Sequence, residues 1–229
     1  MPLIRAELLR KHRLGSPVLI HDPSLVGYWP FDYDDGSYAR DRSGHVIHGT
    51  IYGASKVPGK IGGALSFDGV DDYVNAPTIP TPSGFTMLCW FKRLGNSGGT
   101  GSDIAHYLIG GVNGNRENRI QVTKTGDSVV AVVYVDETLY VSSKSIATPA
   151  AWHHVASVWD GLKVYVVLDG VFAPGTDAAG VLETGSELTS IGRMLLNWYY
   201  ANGIIDEVRI YNRALSAAEI VRVMNLRGI

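Results

Sequence analysis

The 229-residue chain has one cysteine, Cys89, so it has no internal disulfide to draw on. Cys89 lies in the strand-like run Phe85–Phe91, where a free thiol packs as a small hydrophobe, and that reading is preferred to a nucleophile. No apolar run approaches the roughly 18 residues that a membrane-spanning helix needs. No apolar stretch follows the basic residues Arg5, Arg10 and Lys11, so no secretory signal is visible. Neither sign of charge dominates: 20 Lys and Arg against 22 Asp and Glu leave a net −2. That balance excludes a nucleic-acid protein held by a broadly basic surface, though not a local basic patch. No Gly-x-Ser-x-Gly elbow occurs. The Gly-rich stretch Gly98–Gly101 lacks the lysine and context of a phosphate loop. Residues 25–220 contain no internal repeat, linker composition or low-complexity tract.

What is present is glycine, with Val, Thr, Tyr and Ile recurring in short runs, a composition that suits many short strands and tight turns. The stretch Gly203–Ile220 organises the rest. Its first half alternates, placing Ile204, Asp206, Val208 and Ile210 on one face and Ile205, Glu207, Arg209 and Tyr211 on the other. Asp206 among core-facing neighbours needs a partner: an arginine, a ring of backbone N–H groups, or a metal. Ser216-Ala217-Ala218-Glu219 is a capping box, with Leu215 and Ile220 at the staple positions, and predicts a short helix over 217–225 across a sheet edge. Further strands are expected at 85–92 (with Trp90 packed inside), 119–123, 128–135, 139–143, 152–159, 163–168 and 188–193. Gly62–Val74 reads as strand, Asp68-Gly69 turn, strand. Gly95–Asn118 reads as a long loop interrupted by Tyr107–Ile109. Pro2–Leu14 reads as an amphipathic helix with Leu3, Ile4, Leu8 and Leu9 on one side.

The closing Gly-Ile-Ile-Asp-Glu-Val-Arg-Ile-Tyr-Asn-Arg-Ala-Leu-Ser resembles the end of laminin-G-like, concanavalin A-like jelly-roll domains. Leu25–Asp32, Ala39–Thr50 (an Asp-x-Ser-Gly-x-x-x-x-Gly-Thr loop) and Gly62–Val74 resemble the same family, as does the hairpin region 152–170. Ile47 departs from the small polar residue of that loop. The resemblance implies an all-β, two-sheet antiparallel sandwich over residues 25–229, with its first and last strands adjacent, a short C-terminal helix, and an N-terminal arm over 1–24 outside the family pattern.

Asp32, Asp41 and Asp206, with Ser43 and the His48 carbonyl, are candidates for one structural Ca²⁺ site, since calcium takes six to eight oxygens and related jelly rolls carry such an ion. The competing reading has these carboxylates capping turns or pairing with Arg209 and Arg213. Asp32–Gly36 and Asp68–Asp72 fail as EF-hand loops, because positions 43 and 79 are Ser and Ile rather than Glu. His153 and His154 point to opposite faces of a strand and are expected to be structural.

Catalysis is not expected: glycosidases of this sandwich need paired carboxylates on one strand face, and Ile204 stands where a partner acid would be. Asn197, Trp198, Tyr199 and Tyr200 instead offer aromatic faces flanked by an amide, with Asn115 and Arg116 (and Asn113 and Asn118) as polar contacts from the long loop, the pattern of a sugar site. The expectation is a non-catalytic binding or adhesion module for a carbohydrate or cell-surface glycan. Beside it stands a structural or decorating role in a virus particle, fibre or surface layer, with the N-terminal arm joining a larger assembly. A glycoside hydrolase or polysaccharide lyase ranks third. Either leading role points to an extracellular or virion surface.

Overall fold

The computed structural model describes residues 22–32, 36–79, 84–97, 105–113, 116–183, 189–194 and 199–226. Runs that alternate apolar and polar side chains pair into two antiparallel sheets. The first follows the order β14 (Val171–Phe172), β13 (Lys163–Leu168), β12 (Trp152–Trp159), β7 (Phe85–Arg93), β17 (Asn202–Tyr211), β5 (Gly63–Asp68) and β4 (Ser55–Pro58). To this sheet β1 (Leu25–Trp29) adds by pairing with β17, and β15 (Thr176–Asp177) by pairing with β13. The second runs β11 (Thr138–Ser145), β10 (Ser128–Val135), β9 (Arg116–Thr123), β8 (Ala105–Asn113), β16 (Thr189–Ile191), β6 (Tyr73–Ala76), β3 (Gly49–Tyr52) and β2 (Tyr38–Ala39).

The inner faces meet in one core that includes Trp29, Phe67, Phe85, Phe91, Leu108, Ile109, Val133, Trp159, Ile205 and Val208. The first and last strands lie side by side as expected, with Leu25 opposite Tyr211 and Trp29 opposite Val208. A second cluster lies on the outer face of the first sheet. There Ile220 and Val223 of α1 (Ala217–Met224) pack with Leu88, Ala156, Val158 and Val167. Each valine, leucine or isoleucine buried there contributes roughly 1.5–3 kcal/mol. The helix therefore lies on a sheet face rather than across an edge. Its capping box is formed, with the Glu219 N–H donating to Ser216 Oγ and the Ser216 N–H to Glu219 Oε2.

Several local expectations change. Gly62–Val74 is not a hairpin: β5 belongs to one sheet and β6 to the other, so the Asp68–Asp72 turn crosses the sandwich. Gly95–Asn118 is not mainly loop, because β8 and β9 pair from Ala105↔Thr123 to Asn113↔Arg116. Trp90 does not pack between the sheets but faces outward, one alternation from Leu88, beneath the Lys60 ammonium 4.7 Å from its ring. The alternation read for Ile204–Ile210 breaks at a bulge: Glu207 sits at φ 55°, and the register against β7 shifts between Asp206 and Arg209. Ile205 therefore faces the core before the bulge, and Val208 and Ile210 face it after, while Asp206 and Arg209 pair with the outward Trp90 and Leu88. Periodicity alone does not announce such an inserted residue.

Candidate functional site

The bulge builds a buried ionic group. Glu207 forms an ion pair with Arg209, their side chains 1% and 3% exposed. The Tyr28 hydroxyl donates to the same carboxylate at 3.2 Å, and the Arg209 guanidinium stacks 4.1 Å from the Tyr28 ring. Burial raises the Glu207 pKa; Arg209 and Tyr28 oppose that rise without cancelling it. Both residues are thus consumed in joining β17 to β1. His154, opposite Trp90, is buried and its pKa falls to about 3 through burial and the nearby Arg209 charge, so it is neutral. His153 is structural as expected: Nδ1 meets Asp169 Oδ2 at 2.8 Å and Nε2 meets the Thr148 carbonyl at 2.9 Å.

The five candidate metal ligands fall into two places. Asp41 Oδ1 accepts from the Tyr28 and Ser43 N–H groups, and Oδ2 from Ser43 Oγ and the Ile47 N–H, all at 2.8–3.2 Å. His48 Nδ1 accepts from the Asp41 N–H at 3.0 Å. Asp41, Ser43 and His48 thereby shape the 41–48 loop, which is also tied to Trp29 Nε1–H through the Ile47 carbonyl. Asp32 and Asp206 instead hold the Gly59–Gly63 turn. Asp32 Oδ1 accepts from the Gly63 N–H at 2.7 Å, and Asp206 Oδ2 accepts from the Ile61 N–H at 2.9 Å. A Cβ on Gly59 would lie 2.6 Å from Asp206 Oδ2, so glycine is what lets the carboxylate approach. Asp206 Oδ1 is buried with no hydrogen-bond partner. Burial pushes the Asp206 pKa up to about 7, and the Glu207 and Asp32 charges add to the rise. Among the described residues, three acidic or imidazole ligand atoms come within 4.8 Å of one another only at Asp68, Asp71 and Asp72. That turn is held by its own bonds, Val70 N–H to Asp68 Oδ1 at 2.7 Å and Asp68 N–H to Asp72 Oδ2 at 2.9 Å.

Of the expected sugar contacts, Asn197, Trp198 and Asn115 lie outside the described residues, as do the side chains of Arg116 and Asn113. Asn118 is spent on the fold: its Oδ1 accepts from the Tyr134 N–H and its Nδ2 donates to the Glu183 carbonyl. Tyr199 and Tyr200 are half-buried. They sit at the base of the 193–200 loop, closed by the Arg193↔Tyr200 bridge and the bond from Met194 N–H to the Tyr199 carbonyl at 3.0 Å.

That loop base abuts a platform that sequence reasoning missed. Residues paired across strands share a face. Tyr38, Thr50 and Asn75 form one row over β2, β3 and β6, and Tyr52 and Tyr73 form the next. Their neighbours Ala39, Ile51, Val74 and Ala76 belong to the core, so both rows face outward. Tyr52 stacks on Tyr73 with centroids 4.4 Å apart and planes 18° apart. The Arg193 guanidinium lies 3.4 Å from the centre of the Tyr73 ring, and its Nη2 donates to Asn75 Oδ1 at 3.4 Å. The sandwich Tyr52–Tyr73–Arg193 is thus fixed by stacking and cation–π attraction. Tyr52 remains 43% exposed and Tyr38 52% exposed. The signal was available in Gly49-Thr50-Ile51-Tyr52 and Tyr73-Val74-Asn75-Ala76, where polar and aromatic side chains alternate with core residues.

A two-sheet jelly roll carrying an aromatic platform on one outer face defines the class. The family model described as the concanavalin A-like lectin/glucanases superfamily matches residues 68–221, and the chain belongs to that superfamily. No curated protein matches it. Among solved structures it is similar to domain 4 of AbnA, a GH43 extracellular arabinanase from Geobacillus stearothermophilus, in complex with arabinotriose. That match has 21% identity and a TM-score of 0.67, over 87% of this chain and 98% of that one. It is also similar to the binding domain of Paraclostridial Mosquitocidal Protein 1 (15%, TM-score 0.68, 90% of this chain and 52% of that one). A third similar structure is Trypanosoma rangeli sialidase (17%, TM-score 0.65, 96% of this chain and 37% of that one). The chain thus spans about half and about a third of the latter two. At these identities the likeness establishes the fold. Among the described residues no helix is long and apolar enough to cross a membrane.

Proposed function

We propose that this chain is a non-catalytic, extracellular carbohydrate-binding module, and that its glycan rests on the outward platform of Tyr38, Tyr52, Thr50 and Asn75, flanked by the 193–200 loop. The exposed face of Tyr52 carries the reading. Stacking on Tyr73 presets the ring, so binding a sugar there costs little ordering entropy, and Thr50 and Asn75 lie alongside to meet hydroxyls. The similar arabinanase domain bound to arabinotriose supports a sugar as ligand. Absence of catalysis is supported by the platform's two rows, which hold tyrosine, threonine and asparagine and no carboxylate. It is also supported by the burial of Asp206 and Glu207 against β1 and the Gly59–Gly63 turn.

Calcium enters as a structural ion. Asp32 and Asp206 fit it at the Gly59–Gly63 turn, because Asp206 Oδ1 is a buried oxygen without a hydrogen-bond partner; Asp41, Ser43 and His48 are engaged elsewhere. The ion would neutralise like charges there and take no part in binding sugar.

A glycan array probed with the wild type and with Tyr52→Ala tests the function. Binding to a defined set of oligosaccharides that the variant loses is the expected result. A silent array together with a stable oligomer in solution would favour the structural or decorating role instead. Turnover of a polysaccharide would overturn the non-catalytic reading.

A further inference from the structure

On the outer face of the first sheet, opposite the platform, lies a groove of about 300 Å³ lined by Val158, Tyr165, Phe172, Ala214 and Leu215, with Asp160, Ser216 and Ala217 completing it. Tyr165 and Phe172 meet edge-on at 5.7 Å and form one wall; the approach to α1 forms the other. The lining is mostly apolar. The path of the chain points to an occupant. Asp22 forms an ion pair with Arg213, and Ser24 Oγ accepts from Arg213 Nε at 2.9 Å. Arg213 immediately precedes the groove residues Ala214–Ala217. The chain is therefore pinned at Asp22 to the arginine that leads into the groove lining, and two residues before that point it carries the apolar run Val18-Leu19-Ile20. Two to four residues span at most about 7–14 Å, which puts the groove mouth within reach of the run. Such a tether supplies an effective concentration that an unattached partner lacks. Pro17 and Pro23 bracket the run and disfavour helix through it, which suits three consecutive apolar side chains to an open groove rather than to a helical stripe.

We propose that Val18-Leu19-Ile20 of the same molecule seats in this groove, strapping the N-terminal segment across the C-terminal helix and the β12–β14 edge. The strap would hold residues 1–21 on the face away from the sugar platform and fix the direction in which anything attached through that segment approaches the domain.

The test uses the full chain. Leu19→Asp is expected to lower the Tm by about 3–10 °C, from the loss of one buried leucine in a domain of this size. Leu9→Asp, farther from the anchor, leaves it unchanged. Combining Leu19→Asp with Phe172→Ala gives a smaller fall than the sum of the two, because both remove one contact; additive falls, or no fall for Leu19→Asp alone, overturn the proposal. Mild oxidation of a Leu19→Cys/Ala217→Cys variant supplies an arm independent of stability, since Ala217 is exposed and Cys89 is buried away from it. A cross-linked monomer is expected. A cross-linked dimer would assign the groove to a second copy, and an absence of cross-linking would leave the groove to another occupant; either result overturns the strap.

Discussion

Replacing Glu207 by glutamine leaves Arg209 as a buried cation, 3% exposed, without its counter-charge. Removing one member of a buried ion pair costs about 3–5 kcal/mol, chiefly because the remaining charge is stranded. For a domain of this size each kcal/mol moves the Tm by about 2–4 °C, so calorimetry should record a fall of about 6–20 °C. The glutamine keeps the side chain's volume, so the fall reports charge rather than a cavity. Arg209→Met made on the Glu207→Gln background should recover most of the loss, because a neutral pair of similar shape avoids desolvating an ion. Tyr28→Phe removes one hydrogen bond to the carboxylate and should cost about 1–2 kcal/mol. A Glu207→Gln fall below 3 °C, or a double variant worse than the single, would refute the view that the bulge of β17 is held by this ion pair, on which Tyr28 of β1 rests.

The Asp206 carboxyl, raised from 3.8 to about 7, makes the folded protein hold a proton that the unfolded chain has released. In chelator, therefore, its contribution to stability is full below about pH 4 and is lost as pH rises through 7, a change of up to about 4 kcal/mol. The Ile61 and Lys60 backbone N–H groups and the Glu207 and Asp32 carboxylates face it, and Tm measured against pH for the wild type and Asp206→Asn should show a flatter profile in the variant. If calcium sits at the Gly59–Gly63 turn, adding it at pH 8 raises the wild-type Tm and leaves that of Asp206→Asn unchanged. Cys89, fully buried and with its thiol pKa pushed well up by desolvation, should resist alkylation until the protein unfolds, as mass spectrometry after iodoacetamide treatment would record. Ser216→Ala removes the cap of α1 and should cost about 1 kcal/mol in denaturant unfolding.

Most of the fold was legible because a half-buried strand writes its two faces into the sequence as alternation. The three strands of residues 116–145 and the capped helix followed from that pattern and the capping motif, and the adjacency of β1 and β17 from the family resemblance of the closing stretch. Alternation misled at Asp206, where the bulge at Glu207 reverses which residues face the core. It also misled at Asp68-Gly69, where a turn sequence joins two sheets rather than two neighbouring strands, since a turn's local chemistry does not encode where the next strand pairs. The candidate site was only partly legible. The aromatic loop drew attention to residues 197–200, whereas the platform beside it combines Tyr52 and Tyr73 with Arg193, more than a hundred residues apart in sequence and neighbours only through pairing in the second sheet. Of the carboxylates expected to share one site, Asp41 stands apart because it holds the 41–48 loop, whereas Asp32 and Asp206 both hold the Gly59–Gly63 turn.

The most direct test is a residue-resolved map of oligosaccharide binding by NMR on the labelled wild-type protein, using a sugar selected on the array. Shift changes centred on Tyr38, Tyr52, Tyr73, Asn75 and Arg193 are predicted, with the opposite face around Phe172 and α1 silent. Changes confined to that opposite face, or none anywhere at saturating sugar, would contradict the assignment of the platform as a glycan site.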